Sequence, residues 1–132
     1  MLKNFRSDSI VSFLLERCSL TPAQLDTLML SEAYDSLSEK ASLRDRKKVS
    51  KGSFLRSLRQ GQANVESSIY TLILLEYLGL VDSKQLLGLG RIGELISKVR
   101  GSSPSAESIS NLLRAMEKFA EEFSRRRKDI GY

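Results

Sequence analysis

The chemistry most open to this sequence is the binding of anions, because its cations are concentrated in one short stretch. Residues 44–62 hold seven Lys or Arg side chains and one Asp, a net charge of +6, whereas the whole chain carries +5. Each contact between such a cation and a nucleic-acid phosphate releases condensed counterions, so the stretch favours a polyanionic partner. A solvated Lys-rich loop is the alternative. The seven cations are Arg44, Arg46, Lys47, Lys48, Lys51, Arg56 and Arg59.

Polar side chains that can read base edges come directly after these cations. The pattern predicts a short helix after Val49, a turn over residues 60–64 in which Gly61 takes a positive φ, and a second helix over residues 63–79. The second helix begins with short polar residues and ends with apolar ones, as a recognition helix with an exposed tip and a buried root would. A central core helix with a polar first turn is the alternative.

We therefore predict two sets of DNA contacts, one to the phosphate backbone and one to the groove. The backbone contacts are assigned to Lys48, Lys51, Arg56 and Arg59. The groove contacts are assigned to Gln62, Asn64, Ser67, Ser68 and Thr71.

Catalytic chemistry finds little support in the composition. The chain has no histidine, which removes Ser-His-Asp, Cys-His and His-ligated zinc sites, and its single cysteine, Cys18, cannot form a disulfide within the chain. Glu121 and Glu122 are adjacent and diverge around a helix, so they do not make a carboxylate pair. The G-x-G-x-x-G spacing of residues 88–93 lacks the strand and the acidic partner of a dinucleotide site. We predict no enzyme, no cofactor and no metal site.

Two helices are predicted to form an N-terminal scaffold over residues 1–43. Apolar residues four apart indicate the first helix, over residues 7–18. Thr21, Pro22 and Gln24 then have the arrangement of a capping box with proline at the first helical position, and an apolar stripe continues this second helix to residue 43. With the helix-turn-helix in residues 44–100, the 132 residues are predicted to form one domain.

The region after the basic stretch resembles a known family. Leu72 and Leu75 are followed by Leu78-Gly79-Leu80-Val81 and later by Leu89-Gly90-Arg91-Ile92-Gly93-Glu94-Leu95-Ile96. Over residues 50–96 this order is similar to winged-helix regulators of the MarR and PadR type, in which a β-hairpin wing separates the two segments. The resemblance implies a mostly α, winged-helix-like helix-turn-helix fold with a short or vestigial wing at residues 82–88, and a role in transcription.

A long amphipathic helix is predicted over residues 104–128. Ser103 and Pro104 suit its start, and apolar residues then alternate spacings of three and four, as along a coiled-coil seam. A helix of about 24 residues spans roughly 36 Å, which is more than so short a chain can cover, so pairing with a second chain is favoured. Packing back on its own domain is the alternative. The seam consists of Ile109, Leu112, Met116, Phe119 and Phe123.

Together these features predict a dimeric, cytoplasmic protein that binds specific sequences of double-stranded DNA as a transcriptional regulator. The sequence indicates neither a cleavable leader nor an apolar run near the roughly 20 residues of a membrane span. Hydrophobic residues make up 41% and charged residues 28% of the chain, a balance typical of a globular protein. Two further interpretations stay open. One is a non-specific chromatin- or RNA-associated basic protein, and the other is a helical protein-interaction module without nucleic acid.

Overall fold

The computed structural model describes residues 2–5, 7–34, 37–44, 49–100 and 102–125. Every regular element in these ranges is a helix and none is a strand, which confirms the prediction of a mostly α fold. The chain forms two compact units, Met1–Tyr70 and Thr71–Tyr132. A 3-10 helix, Leu2–Phe5, is followed by α1 (Ser9–Arg17), α2 (Pro22–Ala33), α3 (Leu37–Ser42), α4 (Lys51–Tyr77), α5 (Ser83–Arg100) and α6 (Ala106–Arg125).

The second α-helix begins where the sequence predicts, and the first begins at Ser9, two residues after the predicted start. In both helices side chains satisfy amides of the first turn. Asp8 accepts hydrogen bonds from the backbone N–H groups of Ile10 and Val11, at 2.9 and 3.2 Å. Thr21 and Gln24 form the predicted capping box, in which each side chain accepts from the backbone N–H of the other at 3.1 Å. These contacts are local in sequence, which is why they can be predicted from short patterns.

The single helix predicted to run to residue 43 is instead two helices. Tyr34 follows α2 in an extended conformation, with φ of −132° and ψ of 146°, so the helical backbone stops at Ala33. Leu30 of α2 and Ala41 of α3 are nevertheless both buried in one cluster. The apolar periodicity therefore continues from α2 into α3. For this reason the periodicity does not show where the first helix ends and the second begins.

The predicted turn at residues 60–64 is wrong, because α4 runs through this stretch without a break. Gly61 is buried inside α4, and a Cβ atom added there would lie 3.3 Å from the side chain of Leu28 in α2. A residue with a side chain would require the Leu28 side chain to move by a few tenths of an ångström. Glycine here allows close packing of α2 and α4 and does not take a positive φ.

The predicted wing at residues 82–88 is also wrong. The Asp82 carboxylate accepts from the backbone N–H of Gln85 at 2.9 Å, and the Gln85 side chain accepts from the backbone N–H of Asp82, also at 2.9 Å. This reciprocal pair caps a helix that begins at Ser83, so most of the predicted wing is the start of α5.

A glycine in the left-handed conformation ends α4. Gly79 has a φ of 74°, the one positive φ among the described residues. The Leu80 N–H donates to the Leu75 carbonyl at 2.8 Å, and the Gly79 N–H donates to the Glu76 carbonyl at 3.0 Å. These are the two hydrogen bonds of a Schellman motif, which satisfies carbonyls that the last turn of the helix would leave without a partner.

The core of the first unit joins α2, α3 and α4. Phe54 of α4 and Leu30 of α2 have 0% and 1% of their surface exposed, and they pack with Ala41 of α3. Burial of a large apolar side chain contributes about 1.5–3 kcal/mol to the free energy of unfolding, so this small cluster holds α4 to the other helices of the unit.

The first unit also contains a buried ion pair. Asp26 Oδ2 lies 3.7 Å from Arg44 Nε, and the two side chains are 3% and 9% exposed. Asp26 Oδ1 accepts a hydrogen bond from the Leu2 N–H at 2.7 Å, while Arg44 Nη1 donates to Ser57 Oγ at 3.4 Å. The pair therefore connects four parts of the unit: the 3-10 helix, α2, the segment that follows α3, and α4.

In the second unit α5 packs against α6. A Cβ atom added to Gly88 would lie 3.1 Å from the Phe119 ring, and Gln85 Nε2 donates to the Phe123 carbonyl at 3.3 Å. Ser105 caps α6, since its hydroxyl accepts from the Ser108 N–H at 3.1 Å. The helix therefore begins two residues after the predicted start, and residues 126–128 of the predicted helix lie outside the described part of the chain.

Replacing Arg44 with alanine should destabilise the protein, because the Asp26 carboxylate would stay buried without the guanidinium. Removing one partner of a buried ion pair typically lowers the free energy of unfolding by about 3–5 kcal/mol, and we expect a loss of about 3 kcal/mol. The matched control is Arg56→Ala, at an exposed position, with an expected change within about 0.5 kcal/mol. Urea unfolding followed by circular dichroism measures both. Equal, small effects would show that the pair adds no stability.

Candidate nucleic-acid interface

Helix α4 holds the residues predicted to contact nucleic acid. Eight of the nine lie on this helix, and Lys48 lies outside the described residues. The Ser50 hydroxyl accepts from the Ser53 N–H at 3.1 Å and so caps the start of α4. Phe54 and Gly61 are buried on one side of the helix, which leaves the opposite side to solvent.

The exposed cations of α4 lie near its N-terminal end. Lys51, Arg56 and Arg59 are all exposed, and the sequence from Lys51 to Val65 contains no carboxylate. Arg56 and Arg59 are three residues apart, so they are neighbours on the side of the helix opposite Phe54. We call Lys51, Arg56 and Arg59 the basic end of α4.

Part of the positive charge counted in the sequence is not presented to solvent. Arg44 is 9% exposed at its side chain and is paired with Asp26. Residues 45–48 lie outside the described part of the chain. Within the described part of residues 44–62, the exposed positive charge is therefore that of the basic end.

Asn64, assigned to the groove from sequence, makes contacts inside the first unit. Its amide Nδ2 donates to the Ser19 carbonyl at 3.1 Å and to Gln24 Oε1 at 2.8 Å. The same Gln24 oxygen accepts from the Thr21 N–H in the capping box of α2. Asn64 thereby fastens α4 to the connection between α1 and α2. The Ser68 hydroxyl, also assigned to the groove, donates to the backbone carbonyl of Asn64 at 3.0 Å.

The other three residues assigned to the groove are exposed, but they do not share one side of the helix. Ser67 lies eleven residues after Arg56, a near-integral number of turns, and therefore falls on the same side as Arg56; Thr71 follows one turn later. Gln62 has the same eleven-residue relation to Lys51 and lies roughly 140° around the helix from Ser67. The structure thus brings Ser67 together with the arginines, and Gln62 with Lys51.

The second half of α4 does not form the buried root that the sequence predicts. Ile69, Ile73 and Leu74 are 52%, 56% and 56% exposed, and Tyr77 is 85% exposed. The sequence already indicates this exposure, because residues 72–75 are all apolar. Four consecutive residues of an α-helix point to all sides of it. Such a segment cannot turn all of its side chains to one core.

The seam on α6 is largely covered within the chain. Met116 is 7% exposed, and Ile109, Leu112, Phe119 and Phe123 are half-buried. Phe119 and Phe123 meet α5 at Gly88 and Gln85. Part of the seam therefore packs on α5, and its role as a dimer interface stays a prediction.

Metal ligation has no candidate site in the described ranges, which contain no group of three or more Cys, Asp or Glu residues placed to hold an ion. Among the same residues, no helix combines the length and the apolar character needed to cross a bilayer.

No protein-family model, curated protein or solved structure matches this chain.

Replacing Asn64 with alanine should lower stability, because the Ser19 carbonyl and Gln24 would lose a hydrogen-bond donor. A hydrogen bond of this kind contributes about 0.5–1.5 kcal/mol, so we expect a loss of about 1–2 kcal/mol in the free energy of unfolding. Gln62→Ala is the control, since Gln62 is exposed on the same helix and should have little effect. Thermal unfolding compares the two variants, and equal melting temperatures would contradict the packing role.

Proposed function

We propose that this protein binds double-stranded DNA as a transcriptional regulator, with the basic end of α4 as its main contact surface. The observation that carries the proposal is the exposure of Arg56 and Arg59 on a helix whose other side is anchored by the fully buried Phe54. Cations on an anchored helix lose less conformational entropy when they bind than cations in a loop do. The proposed surface has no wing, because residues 82–88 belong to a helix and its cap.

Phosphate is the group that these side chains bind best. A guanidinium presents planar donors that match two phosphate oxygens, and it stays charged at every relevant pH. Arg56 and Arg59 are separated by about 4.5 Å along the helix axis, so both can approach one DNA strand. Because no carboxylate lies between Lys51 and Val65, this half of α4 does not repel the backbone.

Base recognition would depend on Gln62 and Ser67. Both are exposed, and a glutamine amide can pair with an adenine edge in the major groove. Asn64 already donates to Ser19 and Gln24, so it offers little to a base. We therefore propose that phosphate contacts supply most of the affinity and that base contacts add a modest sequence preference.

Non-specific binding to DNA or RNA is the second candidate function. The inward hydrogen bonds of Asn64 favour it, because they remove one of the two carboxamides from the set of possible base contacts. A basic end without groove contacts would bind all duplexes alike and would still show strong salt dependence.

The double variant Arg56→Ala with Arg59→Ala should weaken binding to every duplex and flatten its salt dependence. Loss of two phosphate contacts should lower the slope of log K against log salt by about 1–2 units. The matched control, Arg114→Ala with Lys118→Ala, removes the same charge from exposed positions of α6. Fluorescence anisotropy at several salt concentrations measures both slopes. If the two variants behave alike, net charge and not the basic end accounts for binding.

The double variant Gln62→Ala with Ser67→Ala separates the two candidate functions. On a randomised duplex library we expect the wild-type protein to enrich a sequence and the variant to lose that enrichment, at about 1–3 kcal/mol for each lost base contact. Absence of enrichment by the wild-type protein would favour non-specific binding. Absence of any duplex binding at low salt would overturn the nucleic-acid proposal and leave the helical interaction module.

A further inference from the structure

The second unit exposes more large apolar side chains than it buries. Among its described residues, Val81 and Met116 are the buried hydrophobic ones, at 3% and 7% exposure. Isolated apolar residues on a surface are ordinary, but clustered ones mark contact sites. Those more than 40% exposed in this unit are Ile73, Leu74, Tyr77, Leu78, Leu87, Leu89 and Leu95.

Three of these side chains form a stripe at the end of α4. Ile73, Leu74 and Tyr77 occupy positions one, two and five of a five-residue segment, so they lie on one side of the helix. Leu72 and Leu75 are half-buried on the opposite side. We call Ile73, Leu74 and Tyr77 the α4 stripe. Its side chains are 56%, 56% and 85% exposed.

The charge of the unit fits a second copy of the chain as the partner. Residues 71–132 contain ten Lys or Arg and eight Asp or Glu, a net charge of +2, and none of these charges is in the α4 stripe. Glu76 is the one charged residue between positions 71 and 81, and it lies outside the α4 stripe. An uncharged stripe can face its own copy without repulsion, whereas it offers nothing to attract a charged partner.

The exposed area is sufficient for a pair. Tyr77 exposes roughly 200 Å² and each half-exposed aliphatic side chain roughly 100 Å², so two copies of the stripe with Leu78 beside it would bury on the order of 1,000 Å², the size at which specific interfaces begin. Tyrosine is also among the residues that contribute most to binding when the centre of an interface excludes water.

We propose that two copies of this chain associate through the α4 stripe, with the two helices antiparallel about a twofold axis. Each copy then contributes the same residues, so Tyr77 of one copy meets Ile73 of the other and Ile73 meets Tyr77, with the two Leu74 side chains near the axis. This interface differs from the α6 seam, part of which packs on α5. It does not depend on nucleic-acid binding.

Sedimentation of the full chain at tens of micromolar tests the proposal. We expect the wild-type protein to sediment as a dimer and Leu74→Glu with Tyr77→Glu as a monomer, because burying two unpaired carboxylates at each copy's interface is strongly unfavourable. The control, Ser110→Glu with Ala115→Glu, adds the same charge at exposed positions of α6 and should stay dimeric. Circular dichroism should show unchanged helix content in both variants, since all four positions are exposed. A monomeric wild type, or a stripe variant that stays dimeric, overturns the proposal.

Cross-linking gives a second measurement that does not depend on the glutamate variants folding. In a Cys18→Ser background, which removes the single native thiol, Leu74→Cys should form a disulfide between copies under mild oxidation. Ala115→Cys, on the exposed side of α6, should not. Cross-linking of Ala115→Cys and not of Leu74→Cys would place the contact elsewhere and overturn the α4 stripe as the interface.

Discussion

The buried ion pair between Asp26 and Arg44 is the constraint on which the first unit depends. Removing two charges from water is expensive, so the pair is tolerated because each side chain also has hydrogen-bond partners, the Leu2 N–H for Asp26 and Ser57 for Arg44. The pair also holds the chain after α3 to α4 at Ser57, next to Arg56 of the basic end, and withdraws one arginine from the surface.

Helix α4 carries two surfaces of different chemistry, one in each unit. Its first half is cationic toward solvent and fixed to the first unit by Phe54 and by the amide of Asn64. Its second half is apolar toward solvent, where the α4 stripe lies. Contact with a polyanion is favourable for an exposed arginine because it releases counterions. Contact with an apolar surface is favourable for an exposed Tyr77 because it removes apolar area from water. The two halves therefore favour different partners, and neither partner needs the surface that the other would occupy.

The parts of the fold that sequence predicts are those set by neighbours along the chain. The capping box of Thr21 and Gln24 is an example, because all of its atoms lie within four residues. Gly61 is the opposite case, since its role depends on Leu28 in another helix, and a glycine that allows close packing looks the same in sequence as one that allows a turn. The same limit affected Asn64, whose partner Ser19 is 45 residues away. In the predicted wing, the reciprocal hydrogen bonds of Asp82 and Gln85 begin a helix where the resemblance to a family implies a hairpin.

The Schellman motif at Gly79 has a consequence for the stereochemistry of this position. A φ of 74° belongs to the half of conformational space that D-amino acids prefer, and an L-residue there loses about 1–2 kcal/mol through the clash of its Cβ with the following carbonyl. Among the described residues, leaving out the chain neighbours of Gly79, no atom lies within 4 Å of where a Cβ on Gly79 would point. The obstacle to an L-residue is therefore the handedness of the backbone and not the size of the side chain. Among the genetically encoded residues glycine is therefore the natural occupant, while a mirror-image alanine introduced by chemical synthesis would fit the same turn and restrict the unfolded chain.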